Sequence, residues 1–164
     1  LLGHSLGGAV AMQLALERPH LLRGLILAGT GSRLKVLPAI LDGVLSNFLP
    51  TVNMIVKYAY APEADPRLVE QGTREMAQND PQVIWGDFTA CDGFDISHRL
   101  GEIGLPAWCI VGDKDNLTPP KYSQFLAQHI AGAGCTVIEQ AGHMASLEKP
   151  AAFNEAVLDF MAKR

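Results

Sequence analysis

Short apolar runs alternate with stretches of helical periodicity in both end regions of the chain. Apolar runs of this length, without regular polar interruption, are typical of strands in a parallel sheet that is covered on both faces. They lie at residues 21–29, 106–111 and 135–138, and another run ends at Leu2. Helical patterns occupy residues 6–18, 118–130 and 150–164. This alternation predicts an α/β fold with a mostly parallel sheet and flanking helices.

The middle of the chain has a different pattern, with consecutive helical segments and no strand-like run. The helical segments lie at 34–48, 52–60, 66–78 and 81–89. Pro66 and Pro81 each follow an aspartate, which is the usual order of an N-cap residue and the first residue of a helix. The chain is therefore predicted to have a core at 1–31, a helical insert at 32–99, and a second part of the core at 100–164.

The insert is rich in aromatic residues, and two interpretations of them are open. They line a substrate pocket, or they form the apolar core of the insert, and the second interpretation is the better one for most of them. The aromatic residues are Phe48, Tyr58, Tyr60, Trp85, Phe88 and Phe94.

Composition limits the class of protein. The chain has 164 residues, which suits one domain, and its 48% hydrophobic content is ample for a buried core. The net charge is −4 and the 13 lysines and arginines are scattered, so neither nucleic acid nor an anionic membrane surface is an expected partner. No apolar run reaches the length of a membrane span.

The cysteines and histidines suggest neither a disulfide framework nor a metal site. Cys91, Cys109 and Cys135 form no CxxC pair, so they are expected to be reduced and mostly buried, which favours a cytoplasmic location. No cluster of histidine and acidic residues has metal-ligand spacing. Neither a metal nor a cofactor is therefore predicted.

The segment Gly3-His4-Ser5-Leu6-Gly7 has the G-x-S-x-G pattern of a sharp strand-to-helix turn. A serine hydroxyl is a poor nucleophile by itself, so it must be exposed where a base can reach it. The turn exposes it and crowds the residues two positions away, and glycine at both positions removes the Cβ atoms that would collide. The pattern alone also fits a glycine-rich turn that opens a helix.

Two further polar residues follow later strands and supply the rest of a catalytic triad. Asp115 and His143 each lie just beyond the carboxyl end of a predicted strand, where parallel topology gathers ligand-binding loops. Asp113 is a rival for Asp115, but an aspartate in that position more often holds the loop. His4 is too close to Ser5 along the turn to act as its base. The remaining histidines, at a helix stop or in helical stretches, are His20, His98 and His129.

At these motifs the chain resembles the cap-bearing serine hydrolases of the α/β-hydrolase fold superfamily. The matching segments are Gly3-His4-Ser5-Leu6-Gly7-Gly8, Val111-Gly112-Asp113-Lys114-Asp115 with Thr118-Pro119, and Ala141-Gly142-His143 followed by Glu148-Lys149-Pro150. The resemblance covers the whole chain but only the C-terminal two thirds or so of the family's catalytic domain. It implies that Ser5 is the nucleophile, His143 the base, Asp115 the orienting acid and the Leu6 N–H one oxyanion donor. The family's second donor comes from a loop before the nucleophile, which is absent here.

The resemblance implies a serine hydrolase that acts on a small hydrophobic ester through an acyl-enzyme. The candidate substrate contacts are His4, Trp85, Phe88 and Met144. A serine nucleophile argues against the haloalkane dehalogenases of the same fold, which need a carboxylate. Carbon–carbon bond hydrolysis, lactone or amide hydrolysis and acyl transfer remain open, as does a ligand receptor that keeps the triad. The oligomeric state is open as well.

The first residues lie at the end of a strand, so the first strands of the fold are expected to be missing from the chain. An unpaired edge and bare apolar faces favour aggregation. The isolated 164 residues are therefore expected to be poorly soluble or to self-associate, and an inactive fragment is a further alternative.

Overall fold

Four parallel strands form a single sheet at the centre of the molecule. The computed structural model describes residues 1–163. In spatial and sequence order the strands are β1 (Leu2–His4), β2 (Leu25–Ala28), β3 (Ala107–Gly112) and β4 (Gly134–Ile138). Each strand is hydrogen-bonded in parallel to the next. The predicted α/β fold with a parallel sheet is confirmed, and all the carboxyl ends lie at one edge of the sheet.

Helices cover both faces of this sheet. The flanking helices are α1 (Leu6–Glu17), α6 (Pro120–His129), α7 (Ala145–Glu148) and α8 (Pro150–Ala162). The side chains of β2 alternate between two apolar clusters, with Leu25 and Leu27 in the cluster of α1 and α6 and Ile26 in the cluster of α8. A strand buried on both sides needs apolar residues at every position, which explains its unbroken apolar run.

The remaining α-helices lie between β2 and β3. They are α2 (Pro38–Ser46), α3 (Phe48–Ala59), α4 (Pro66–Ala77) and α5 (Pro81–Gly93). The chain leaves and re-enters the core at an isolated antiparallel bridge between Arg33 and Asp95. The Ile96 N–H donates to the Ser32 carbonyl, 2.9 Å away, beside this bridge. The four helices and residues 34–37, which precede them, are called the helical insert below and share a common stem. They pack around two apolar clusters of their own.

Prolines decide where several of these elements begin. The first strand-like run is shorter than predicted because Pro19–Leu21 forms a 3₁₀ turn and the strand starts at Leu25. The helix predicted from residue 34 begins instead at Pro38, whose fixed φ suits a first helical position. Helix α3 starts before Pro50, which is tolerated in the first turn because its missing N–H has no partner there. The helix predicted at 118–130 begins at Pro120, and Thr118 makes no cap.

The cysteines are free, with Cys109 buried and Cys91 and Cys135 half-buried. None of the helices within residues 1–163 is both long enough and apolar enough to cross a membrane.

Candidate active site

Ser5 lies between β1 and α1 in a conformation that few non-glycine residues adopt. Its φ is 53° and its ψ is −120°, and backbone in such regions is kept only where surrounding contacts hold it. Its N–H donates to the carbonyl of Ala28, 2.9 Å away, and the Thr30 hydroxyl donates to the Ser5 carbonyl at 2.8 Å. The adjacent strand β2 and its following loop therefore hold the strained turn.

The glycines around Ser5 do not all act as the sequence pattern predicts. A Cβ added at Gly3 would overlap the carbonyl oxygen of Gly7, so Gly3 is required for the turn. At Gly7, no atom of the described chain beyond its neighbours and its own helix lies within 4 Å of such a Cβ, so the prediction of crowding there is wrong. Gly8 is the second crowded position, because a Cβ there would lie 2.5 Å from the Thr30 methyl carbon.

Asp115 and His143 form a buried hydrogen-bonded pair beyond the carboxyl ends of β3 and β4. The Nδ1 of His143 lies 2.9 Å from Oδ2 of Asp115, and the two residues are 6% and 3% exposed. Nδ1 donates, since an ionised carboxylate only accepts. The Thr118 hydroxyl donates to the same oxygen at 2.8 Å, and the N–H groups of Leu117 and Thr118 donate to Oδ1 at 2.9 and 2.7 Å.

These contacts keep the Asp115 carboxylate ionised in a buried place. Burial alone would raise its pKa, but the hydrogen bond and charge of His143 and the hydrogen bonds from Thr118 together hold the pKa below its usual value. Asp113 has a different role. Its side chain accepts from the Ala141 N–H at 3.3 Å and pairs with Lys114 at 3.3 Å, so it ties the two loops together.

His143 is also fixed from its other sides. Its N–H donates to the carbonyl of Ala59, at the end of α3, with a distance of 2.7 Å. Gly29 lies against its ring with a φ of 49°, and a Cβ added there would be 3.2 Å from Nδ1 of His143. Both the left-handed backbone and the close approach to the ring favour glycine at this position. The residue is thus held through its ring by a core loop and through its backbone by the helical insert.

His4 packs directly against His143. The two ring centroids are 4.6 Å apart, and Nε2 of His4 donates to the carbonyl oxygen of His143 at 2.9 Å. Burial, followed by the nearby positive charge of His143 in its protonated form, lowers the pKa of His4 to about 4. His4 is therefore neutral at neutral pH and supports the loop of His143 without adding a charge beside it.

Two cavities meet at Ser5. The larger, which we call the inner cavity, has a volume of about 440 Å³ and runs between the insert and the loop after β3. The second, of about 280 Å³, is bordered by Leu6 and by residues of α4 and α5. Ser5, Phe88 and Cys91 line both. Leu6 is the first residue of α1, so its N–H has no acceptor within the helix and is free to meet a ligand.

Within residues 1–163 the Ser5 hydroxyl makes no hydrogen bond to His143. Catalytic hydrogen bonds are often long before substrate binds and shorten in the complex. Cys91 carries a thiol and lines both cavities. Burial, followed by the nearby Asp87 charge, raises its pKa to about 11, so the thiol stays protonated and unreactive.

The chain matches a known protein family. The model of the family described as serine aminopeptidase, S33, matches residues 1–150. The chain belongs to this family of α/β-hydrolases. The resemblance stated from the sequence motifs is thereby confirmed.

Relatives of this α/β-hydrolase include several named enzymes. The pimeloyl-[acyl-carrier protein] methyl ester esterase of Neisseria meningitidis (serogroup C, strain FAM18) is 29% identical over 98% of this chain and 68% of its own length. The 2-hydroxy-6-oxo-6-phenylhexa-2,4-dienoate hydrolase of Comamonas testosteroni is 29% identical over 100% of this chain and 63% of its own.

Solved structures agree with the sequence relatives. The structure of a thermophilic esterase is 41% identical, with a TM-score of 0.89, and the match covers 99% of this chain and 65% of the esterase. The chain therefore spans about two thirds of the length of the proteins it resembles.

The structure places only one of the four predicted substrate contacts in the cavities at Ser5. Phe88 lines both cavities at Ser5. Trp85 is 37% exposed and lines neither cavity. His4 and Met144 also line neither cavity, because His4 packs against His143 and Met144 packs against an apolar cluster of the insert. Tyr58 lines the inner cavity, although it was predicted only as one of several insert aromatics. Helical periodicity cannot separate these cases, because each depends on how the insert lies over Ser5.

Three residues shape the site through contacts that were not predicted. They are Gly29, and Thr118 and Glu148, which lie in the matching segments but had no role assigned to the hydroxyl or the carboxylate. The spacing Asp115-x-x-Thr118 is a signal for Thr118, because an aspartate commonly accepts from groups two and three residues ahead. Gly29 has no such local signal, since His143 is distant in sequence, and neither does the contact of Glu148 with Ala61.

Glu148 connects the His143 loop to the insert. One carboxylate oxygen accepts from the Gly142 N–H and the other from the Ala61 N–H, both at 2.9 Å. The backbones of the two bridged segments also pack closely, because a Cβ on Gly142 would lie 2.5 Å from the Ala61 nitrogen. A single side chain thus joins the His143 loop to the segment that follows α3.

Replacing Glu148 with alanine should therefore destabilise the protein. Two partly buried N–H donors would lose their acceptor, which costs about 3 kcal/mol of unfolding free energy in total. We expect a melting temperature lower by roughly 6–12 °C in calorimetry. Glu155→Ala is the matched control, since Glu155 is exposed on α8 and should change stability by less than about 0.5 kcal/mol. Equal melting of the two variants would contradict the bridging role of Glu148.

Proposed function

We propose that the protein hydrolyses a small-molecule carboxylic ester through a covalent acyl-enzyme on Ser5. The observation that supports this most is the buried hydrogen bond between Asp115 and His143 at the same sheet edge as the strained turn of Ser5. The curated esterase and the solved esterase among the relatives support the same reaction class.

In the first step of the proposed reaction, the Ser5 oxygen attacks the ester carbonyl carbon and Nε2 of His143 takes its proton. Nδ1–H of His143 stays bonded to Asp115, whose charge stabilises the imidazolium as it forms. The tetrahedral oxyanion accepts a hydrogen bond from the Leu6 N–H at the start of α1, where the helix dipole also favours negative charge. Collapse breaks the carbon–oxygen bond of the ester, and His143 protonates the leaving alcohol.

Deacylation follows the same path with water as the nucleophile. His143 takes a proton from water, the hydroxide oxygen bonds to the acyl carbon, and the proton passes back to the Ser5 oxygen as the acid leaves. The contacts of His4 and Ala59 with the His143 backbone hold the loop in place through both steps. No redox partner or metal is part of this proposed reaction.

The lining of the inner cavity favours an apolar substrate. Leu34, Val36, Leu37, Ile40 and Phe88 all border it. We propose that the helical insert acts as a cap that provides this apolar wall, and that the free thiols belong to a cytoplasmic enzyme. The Comamonas relative supports carbon–carbon bond hydrolysis as a second candidate, because its name describes a dienoate substrate and no ester.

The test of this function is labelling combined with turnover. Purified protein is treated with a fluorophosphonate probe and digested, and the modified peptide is identified by mass spectrometry. In parallel, release of nitrophenol from short- and medium-chain nitrophenyl esters is followed. We expect the label on Ser5 and ester turnover that is lost on labelling. A label on Ser5 without any ester turnover would favour carbon–carbon hydrolysis or another acyl reaction. No label and no turnover would contradict the hydrolase function altogether.

A further inference from the structure

The inner cavity adjoins another open space, with which it shares three lining residues. This outer cavity has a volume of about 620 Å³ and is lined by Ser32, Arg33, Lys35, Lys121, Tyr122 and Phe125. Lys35, Lys121 and Tyr122 line the inner cavity as well. A continuous path therefore leads from Ser5, along an apolar wall, to a group of cationic side chains.

The three cationic side chains on this path differ in whether they have an acidic partner. Arg33 lies 3.7 Å from Asp95, and Lys35 lies 3.5 Å from Asp92 and donates to the Asp92 carbonyl at 2.7 Å. Lys121 has no acidic partner within residues 1–163. Its Nζ lies 5.8 Å from the centre of the Tyr122 ring, a favourable but weak contact. Lys121 is thus the cation on the path whose charge is left for a ligand.

The backbone around Lys121 is restrained. Lys121 follows Pro119 and Pro120 at the start of α6, and the same loop carries Thr118, whose hydroxyl bonds to Asp115. Proline fixes φ at both preceding positions, so the backbone that carries this cation is held at a set place relative to the acid of the triad. This arrangement suits recognition of a charge at a defined distance from the reacting carbonyl.

We propose that the substrate is an ester with an apolar chain that ends in an anionic group, and that Lys121 binds this group. The proposal rests on the proposed ester hydrolysis at Ser5 and names its substrate class. The apolar chain occupies the inner cavity, where Leu34, Val36 and Leu37 contact it. The anion, a carboxylate or a phosphate, lies at the junction with the outer cavity, where an ammonium group without an acidic partner is available.

The test is a binding measurement that does not depend on turnover. Monomethyl esters of straight-chain dicarboxylic acids, from succinate to sebacate, are titrated calorimetrically into the Ser5→Ala variant, alongside the neutral dimethyl esters of the same acids. We expect one chain length at which the monomethyl ester binds about fivefold more tightly than the dimethyl ester, as a partly exposed ion pair provides. Higher salt should reduce this preference. A methyl ester with a terminal phosphate at that length distinguishes the two sources of the anion.

The role of Lys121 is tested by adding a second substitution to this variant. Lys121→Met should weaken binding of the anionic ester about fivefold, with a much smaller effect on the dimethyl ester, and Lys121→Arg should restore the preference. Lys163→Met removes the same charge at the far end of the sheet, where Lys163 lies over Trp108, and should change neither affinity. Equal affinities for anionic and neutral esters at every length, or equal effects of Lys121→Met and Lys163→Met, would overturn the proposal. Absence of ester turnover in the unmodified protein would overturn the proposed function separately.

Discussion

Replacing Ser5 with alanine is expected to lower kcat for ester hydrolysis by about 10⁶-fold, because the acyl-enzyme can no longer form. The strained backbone at Ser5 is held by hydrogen bonds of its N–H and carbonyl, which alanine retains. The variant should therefore stay folded and bind substrate with little change in affinity. Steady-state turnover of nitrophenyl esters, together with calorimetric substrate binding, measures both quantities.

Ser123→Ala is a suitable control for this substitution. The Ser123 hydroxyl is buried in α6 and has no hydrogen-bond partner among the described residues, so its removal leaves no donor or acceptor unpaired. Activity should be unchanged, and stability should rise by about 1 kcal/mol because an unsatisfied polar group is removed. Turnover in Ser5→Ala within about a hundredfold of the unmodified protein would contradict nucleophilic catalysis by this residue.

Replacing Asp115 with asparagine is expected to lower kcat by about 10⁴-fold with a smaller change in KM. The amide oxygen is best placed at Oδ1, where the N–H groups of Leu117 and Thr118 require an acceptor. The amide NH₂ then faces Nδ1 of His143, which must lose its hydrogen to accept. The ring changes tautomer, Nε2 becomes protonated, and the base can no longer take the proton of Ser5. The loss of charge also removes stabilisation of the imidazolium.

Asp113→Asn distinguishes this explanation from a general effect on the loop. Asp113 also precedes α6, but its contacts are to Ala141 and Lys114 and none reaches the His143 ring. The amide oxygen can still accept from the Ala141 N–H, so kcat should remain within about threefold of the unmodified value, in keeping with loss of an exposed ion pair. A comparable loss of activity in both variants would contradict the assignment of Asp115 as the orienting acid.

Much of the fold follows from local patterns. The apolar runs of β2 and β3 could be recognised because a strand buried on both faces tolerates no regular polar position. Helix α4 also matched its prediction closely, with Asp65 as its N-cap accepting from the Arg67 N–H. Element boundaries were predicted less accurately. The helix predicted over 118–130 begins only at Pro120, and the Thr118 hydroxyl donates to Asp115.

The candidate site also combines features that could be predicted from the sequence with features that could not. The loops of Asp115 and His143 could be brought to one sheet edge from strand order alone, since parallel strands end on the same side. The roles of Gly29 and Glu148 could not be predicted, because each contacts residues more than 80 positions away. The insert aromatics were ambiguous for a related reason. Phe88 and Trp85 are neighbours on one helix, yet only Phe88 faces Ser5.

The sequence by itself determined the order of strands and helices, the serine turn and the loops that carry Asp115 and His143. These features depend on side-chain periodicity and on residues within a few positions of each other, where local sterics dominate. The tertiary structure alone decided which glycines are crowded, which residues hold the loop of His143, and how the insert forms the two cavities at Ser5. Those features are set by contacts between segments that become neighbours only when the sheet and the insert pack together.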